Sequence, residues 1–125
     1  MLLDSNILIY ACRPKHSRLR HFIREHAPSV SVITKVETLG YHDLSPQEKT
    51  ALTTFFEAAR VRILTSEITD RAIQLRQQRP LSLGDSLIAG TAMAHGLPLV
   101  THNTGDFSWV EELELLDPMS EEEGE

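Results

Sequence analysis

The sequence predicts a parallel, layered α/β fold made as one domain, a central sheet of four to five strands flanked by helices on both faces. Three observations carry that reading. Short apolar or β-branched runs alternate with helix-period segments along the chain, which is the pattern of βαβ units. The 125 residues can bury one ordinary core and are too few for an eight-fold barrel. No internal repeat or interdomain linker divides them, so residues 1–117 are expected to form the domain and 118–125 an acidic, disordered tail.

Met1-Leu2-Leu3 reads as a first strand running into Asp4, Ser5 and Asn6, with a helix from Ser5 to Cys12 ended by Pro14. A second helix is expected from Lys15 to His26, with Leu19, Phe22, Ile23 and His26 on its core side. The β-branched run from Pro28 to Ile33 predicts a second strand, and Thr34 to Asp43 a helix. At 100° per residue Glu37 falls about 40° from Ile33, within the face that holds Gly40, Leu44 and Tyr41. Ser45, Pro46 and Glu48 supply an N-cap, an N1 proline and a capping-box acid for a helix to Ala59, striped with Leu52, Phe55 and Phe56. Val61 to Leu64 reads as a third strand. Thr65 or Ser66 then caps a helix to Gln78, packed through Ile68, Ala72, Ile73 and Leu75.

Ser82 to Asp85 opens a helix that carries no charge from Ser86 to Ala94 and is expected to be buried, its small residues packing closely on the sheet. Gly96 suits the left-handed position after it. Leu97 to Thr101 reads as a fourth strand, with Pro98 near its entry. It ends in the polar turn His102-Asn103-Thr104-Gly105-Asp106, and Glu114-Leu115-Leu116 reads as a last short strand.

Charge is unevenly placed. The net charge is −6, yet residues 111–125 hold eight of the 18 acids and none of the 12 bases, so the body is slightly basic and nucleic acid remains an admissible partner. Acidic ends of this kind are commonly solvated tails. Arg13, Lys15, Arg18, Arg20 and Arg24 form the densest basic cluster. It reads either as a solvated helix face or as a phosphate-contacting surface. The sequence shows neither a membrane-length apolar run nor a secretory signal, which predicts a cytoplasmic protein. The single cysteine, Cys12, excludes an internal disulfide framework and a thiolate zinc cluster.

Four acids share a placement. Asp4 and Asp106 follow strands, Glu37 lies on the inner face of a helix after a strand, and Asp85 starts a buried helix. Each has an ordinary reading of its own: Asp4 and Asp85 as helix-cap acids, Asp106 as a turn aspartate. An ionised Glu37 on a buried face is harder to explain without a partner. Gathered together, carboxylates repel one another and call for a hard divalent cation such as Mg²⁺ or Mn²⁺. Such a site suits phosphodiester hydrolysis. The six histidines have no H-E-x-x-H spacing, and no nucleophile elbow, P-loop or dinucleotide fingerprint is present.

Four motifs in this order, L-L-D-S-N-I-L-I-Y, S-x-I-T-x-x-E, L-x-x-G-D-S-L-I-A-G-T-A and T-x-N-x-x-D-F, resemble the PIN domain, and especially the VapC toxins of bacterial toxin–antitoxin pairs. The resemblance spans Met1 to Phe107. It implies a metal-dependent ribonuclease with Asp4, Glu37, Asp85 and Asp106 as the catalytic, metal-holding quartet, and Ser5, Asn6, Thr101 and Asn103 as supporting polar residues. It also implies an RNA substrate, a homodimer and a VapB-like antitoxin. Many relatives carry proline or another residue where Gly84 stands, and the acidic tail is not part of the pattern. Two other readings stay open: a non-catalytic PIN-like module that binds RNA or protein, and a phosphatase with Asp4 as nucleophile. The phosphatase reading lacks the second aspartate usual two residues on, where this chain has Asn6.

Overall fold

A computed structural model describes residues 1–119. Five short strands form one sheet in the order β3-β2-β1-β4-β5, with every neighbouring pair parallel. They are β1 (Leu2–Leu3), β2 (Ser29–Ser31), β3 (Val61–Arg62), β4 (Leu99–Val100) and β5 (Leu115–Leu116). The described helices are α1 (Ser5–Ala11), α2 (Ser17–His26), α3 (Val32–Leu39), α4 (Pro46–Ala58), α5 (Ser66–Gln78), α6 (Leu83–His95) and α7 (Thr104–Phe107). No described helix is long and apolar enough to cross a membrane.

The two faces of the sheet are covered separately, because successive strand residues point to opposite sides. Leu3, Val30 and Val100 pack with Ile7, Leu8, Leu19, Ile23, Leu52 and Phe56, so α1, α2 and α4 cover one face. Leu2 and Leu99 pack with Leu75, Ile88, Ala89, Ala92 and Phe107 from α5, α6 and α7 on the other. Leu2, Leu3, Val30, Leu99 and Val100 are all inaccessible to solvent, and burying each such side chain contributes about 2 kcal/mol. Met119 is also buried, against the first of these cores. The acidic stretch expected to be disordered lies outside the described residues from position 120 onward.

The chain order makes one position special. From β1 the chain moves outward to β2 and β3, then returns to the other side of β1 for β4 and β5. The topological switch point therefore lies between β1 and β4, where ligands of open α/β sheets bind. Leu3 is in register with Val100 there, and the next residues on each strand are Asp4 and Thr101.

Most elements stand where the sequence put them, with several differences. The second strand ends at Ser31 and not Ile33, because the Ser31 side chain accepts from the Ile33 amide at 3.0 Å and starts α3 two residues early. That helix stops at Leu39, capped by Gly40, short of Asp43. Ile73 is 54% exposed, so α5 packs through Ile68, Ala72 and Leu75 alone. The small residues of α6 serve two neighbours: Ala89 and Ala92 join the sheet-side core, while Gly90 faces α5. A Cβ on Gly90 would lie 2.8 Å from the Ile68 carbonyl oxygen. The Ser45 capping box and the left-handed Gly96 are as expected.

Candidate active site

Asp4 sits at the switch point and is 3% exposed. One carboxylate oxygen, Oδ1, accepts from the Ser5 amide at 2.8 Å, so Asp4 does cap α1. The other, Oδ2, accepts from the Thr101 hydroxyl at 2.8 Å, a bond that crosses from β1 to β4. Thr101 Oγ1 in turn accepts from the Asn103 amide at 3.0 Å, which fixes the start of the loop after β4. Burial pushes the Asp4 carboxyl from 3.8 up to about 6; the Thr101 hydroxyl and Ser5 amide oppose the rise, and the negative charges of Asp85 and Glu37 add to it. A buried acid with two donors and a raised pKa is a cap and something more.

Ser5 links Asp4 to Glu37. Its hydroxyl oxygen lies 2.7 Å from Glu37 Oε1 and 3.2 Å from Thr34 Oγ1. With a single proton to give, it donates to the carboxylate and leaves Thr34 to donate to it. Glu37 is not on a buried apolar face as the helical count suggested. The side chain is exposed, as are Val36 and Tyr41, and the buried positions of α3 are Thr34 and Thr38. The helix is short and follows β2 at the sheet's carboxyl edge: Ile33 and Leu39 at its ends pack on the apolar cores, while Thr34 and Glu37 between them meet Ser5. Thr34 is the threonine of the S-x-I-T-x-x-E motif, and no role for it was expected. Its spacing of three residues before Glu37, one helical turn, is the signal that points to it.

Asp85 stands in the first turn of α6, where its amide donates to the Ser82 side chain at 3.1 Å. Burial raises its carboxyl above the usual range, with Ser82 opposing and the charges of Asp106 and Glu37 reinforcing. Asp106 is exposed in α7, on the loop that Thr101 anchors. Electrostatics thus ties all four acids together, Asp4 to Asp85 and Glu37, and Asp85 to Asp106. The close approach of α6 to Glu37 depends on Gly84, since a Cβ there would lie 2.5 Å from Glu37 Oε2.

The donor set is all oxygen, and two of its carboxyls, Asp4 and Asp85, hold protons more tightly than an ordinary surface acid, which is the chemistry a hard cation would relieve. Among the described residues, no three His, Cys, Asp or Glu side chains already stand in metal-ligating range.

The basic residues divide. Arg13 lines the cleft that holds Ser5, Asn6 and Glu37, with its guanidinium 5.7 Å from the Tyr10 ring centre. Lys15 and Arg18 are exposed nearby in sequence. Arg20 is a structural staple instead, donating to the carbonyls of Ala11, Arg13 and Pro14 at 3.0, 2.6 and 3.1 Å beyond the end of α1. Arg24 lines a separate groove between α2 and α4, with Cys12 and Phe55. His102, the histidine nearest the acids in sequence, directs Nδ1 to the Asp117 carboxylate at 3.1 Å.

Fold and site together define an α/β domain that gathers carboxylates over the switch point of a parallel sheet. The family model described as PIN domain matches residues 1–113, and the chain belongs to that family. It is similar to the tRNA(fMet)-specific endonuclease VapC of Shigella flexneri, 31% identical over 122 residues that cover 87% of this chain and 90% of the relative. Among solved structures it is similar to the toxin–antitoxin complex from Klebsiella pneumoniae, at 26% identity and a TM-score of 0.75 over 94% of this chain and 96% of that one. The fold is shared with VapBC2 from Rickettsia felis bound to a DNA fragment from its promoter, at 22% identity and a TM-score of 0.80 over 92% and 96% of the two chains.

Proposed function

We propose that the chain is an Mg²⁺- or Mn²⁺-dependent endoribonuclease, the toxin of a VapBC-type pair, acting in the cytoplasm. The observation that carries this is Asp4: a buried carboxyl at the switch point whose pKa is lifted to about 6 in part by two other acids of the quartet. The name of the Shigella relative, a tRNA(fMet)-specific endonuclease, supports RNA as substrate and makes tRNA the first to try.

In this reading Asp4 and Asp85 are the principal ligands, and Glu37 and Asp106 complete the set. When bound, the cation polarises water and the scissile phosphate and offsets charge that develops during displacement at phosphorus. The chain's own residues prepare that step. Thr101 keeps Asp4 aimed across the β1/β4 gap, and its hydroxyl favours the ionised form needed for ligation. Ser5 holds Glu37 against α6. Asn6 and Asn103 offer polar contacts to the substrate phosphates, and Arg13, Lys15 and Arg18 attract the RNA backbone, which makes binding salt-dependent.

A VapB-like antitoxin is the proposed protein partner, in keeping with the toxin–antitoxin complexes among the structural relatives. A homodimer is proposed as well, supported by Ile73 and Leu83, which are 54% and 62% exposed and line one groove.

The test is cleavage of total RNA with added Mg²⁺ or Mn²⁺, followed by mapping of the ends, with Asp4→Asn run beside the parent. Specific ends from the parent and none from the variant are expected. Full activity of purified Asp4→Asn would overturn the assignment. Metal-dependent stabilisation without cleavage of any RNA would make the chain a binding module.

A further inference from the structure

An open cleft of about 540 Å³ begins at Ser5 and Glu37 and runs outward between Asn6, Arg13, Tyr41 and Asp43. That volume is in the range of small-ligand pockets. It shares Ser5 and Glu37 with the candidate site, so whatever fills it sits next to that site. Tyr41 is the unusual wall residue. It lies just past Gly40, the cap of α3, and is 50% exposed. It belongs to no hydrophobic cluster among the described residues. Its only ring contact among them is with His42, at 5.1 Å between centres and 53° between planes. An aromatic ring half in water, with no core to hold, is a free stacking surface.

The other walls say what stacks. Glu37, Asp43 and Glu48 line the cleft against the single cation Arg13, so a phosphate is disfavoured there and a neutral planar group is not. The Glu48 carboxylate is occupied, accepting from the Ser45 amide at 3.0 Å in the capping box. The Asp43 side chain has no hydrogen bond or ion pair among the described residues, and it is an acceptor only.

We propose that Tyr41 and Asp43 form a nucleobase subsite, in which an unpaired base next to the cleaved phosphate stacks on the Tyr41 ring and donates an amino hydrogen to the Asp43 carboxylate. The proposal rests on the nuclease reading and adds to it a specificity element. Single-stranded RNA is recognised in general by splayed bases stacked on aromatic side chains. Carboxylates read exocyclic amino groups. Adenine, cytosine and guanine carry one. Uracil presents carbonyl oxygens on both sides of its ring N–H, and these repel a carboxylate. The subsite therefore selects against uracil.

The experiment measures fluorescence anisotropy of labelled A12, C12 and U12 oligoribonucleotides on the cleavage-deficient Asp4→Asn protein. A12 and C12 are expected to bind more tightly than U12. Adding Tyr41→Ala weakens A12 and C12 binding by roughly 10-fold, the usual loss for one base-stacking aromatic. Tyr41→Phe restores most of it, and Asp43→Asn removes the preference over U12. In the cleaving protein, Tyr41→Ala raises KM more than it lowers kcat. Unchanged oligonucleotide affinity in Tyr41→Ala, with parental cleavage positions and KM, would overturn the subsite and leave the nuclease standing. Failure of the parent chain to bind or cut any RNA would defeat the nuclease reading and the subsite with it.

Discussion

Replacing Asp4 with asparagine should stabilise the fold while removing its proposed chemistry. The carboxyl titrates near 6 in the folded protein against 3.8 ordinarily, so the native state binds its proton more tightly than the unfolded chain does. Stability attributable to Asp4 is therefore highest below pH 3.8, falls as pH rises through about 6, and is flat above that. About two pKa units correspond to about 3 kcal/mol of destabilisation at pH 7. Asparagine carries no such charge, and its Oδ1 can still accept from the Ser5 amide. Its amide nitrogen faces the Thr101 hydroxyl, which must turn its proton elsewhere at a cost of about 1 kcal/mol. The net expectation is a gain of about 2 kcal/mol at pH 7. Urea unfolding followed by the fluorescence of Trp109, with chelator present, measures it. The gap between variant and parent should shrink to about 0.6 kcal/mol near pH 5, vanish at about pH 4.5, and by pH 4 leave the variant slightly less stable than the parent. A variant less stable than the parent at pH 7, or a gap that ignores pH between 4 and 7, would refute the account of Asp4 as a buried, charge-strained acid.

Two further outcomes are expected. Adding Mn²⁺ or Mg²⁺ at about 100 times its Kd should stabilise the parent by about 2.7 kcal/mol and leave Asp4→Asn nearly unmoved; equal shifts would argue against Asp4 as a ligand. Ala27 caps α2 at φ 43°, a left-handed position, so Ala27→Gly should raise stability by about 1 kcal/mol in thermal melts.

Much of this fold was legible because local signals were sufficient. Ser45, Pro46 and Glu48 announce one helix start through three separate physical effects, and Gly96 announces a helix end through one. The misplaced α3 boundary shows where local signals compete. Val32 and Ile33 are β-branched and favour a strand, but the Ser31 side chain satisfies the otherwise free Ile33 amide in the first turn of a helix, and capping prevailed over propensity. The error over the surroundings of Glu37 has the same root, since helical periodicity says which residues share a face and not what that face meets. The Asp4–Thr101 bond joins residues 97 positions apart. Nothing local predicts it; only the sheet order that sets β1 beside β4 does. Gly90 and Gly84 were likewise readable as small residues, while the partners that require them small, α5 and Glu37, are tertiary facts.

Gly84 shows how stability and the site come apart. In the first turn of α6 an alanine would favour the helix by about 1 kcal/mol over glycine. Its Cβ, however, would lie 2.5 Å from Glu37 Oε2 and 3.1 Å from Cδ. Glu37 is exposed, so its carboxylate can swing away at little cost to the fold. Doing so breaks the 2.7 Å bond from Ser5 and moves one member of the acidic quartet. Gly84→Ala should therefore melt no lower than the parent and yet bind divalent cation roughly tenfold more weakly, a loss of about 1.4 kcal/mol. The mechanism itself is open to test through Ser5→Ala, which removes the same bond from the other end. If Gly84 acts by allowing the Ser5–Glu37 contact, the two substitutions lose less together than the sum of their separate effects. Strict additivity, measured as cation affinity across the four proteins, would mean that the alanine methyl harms the site by some other route.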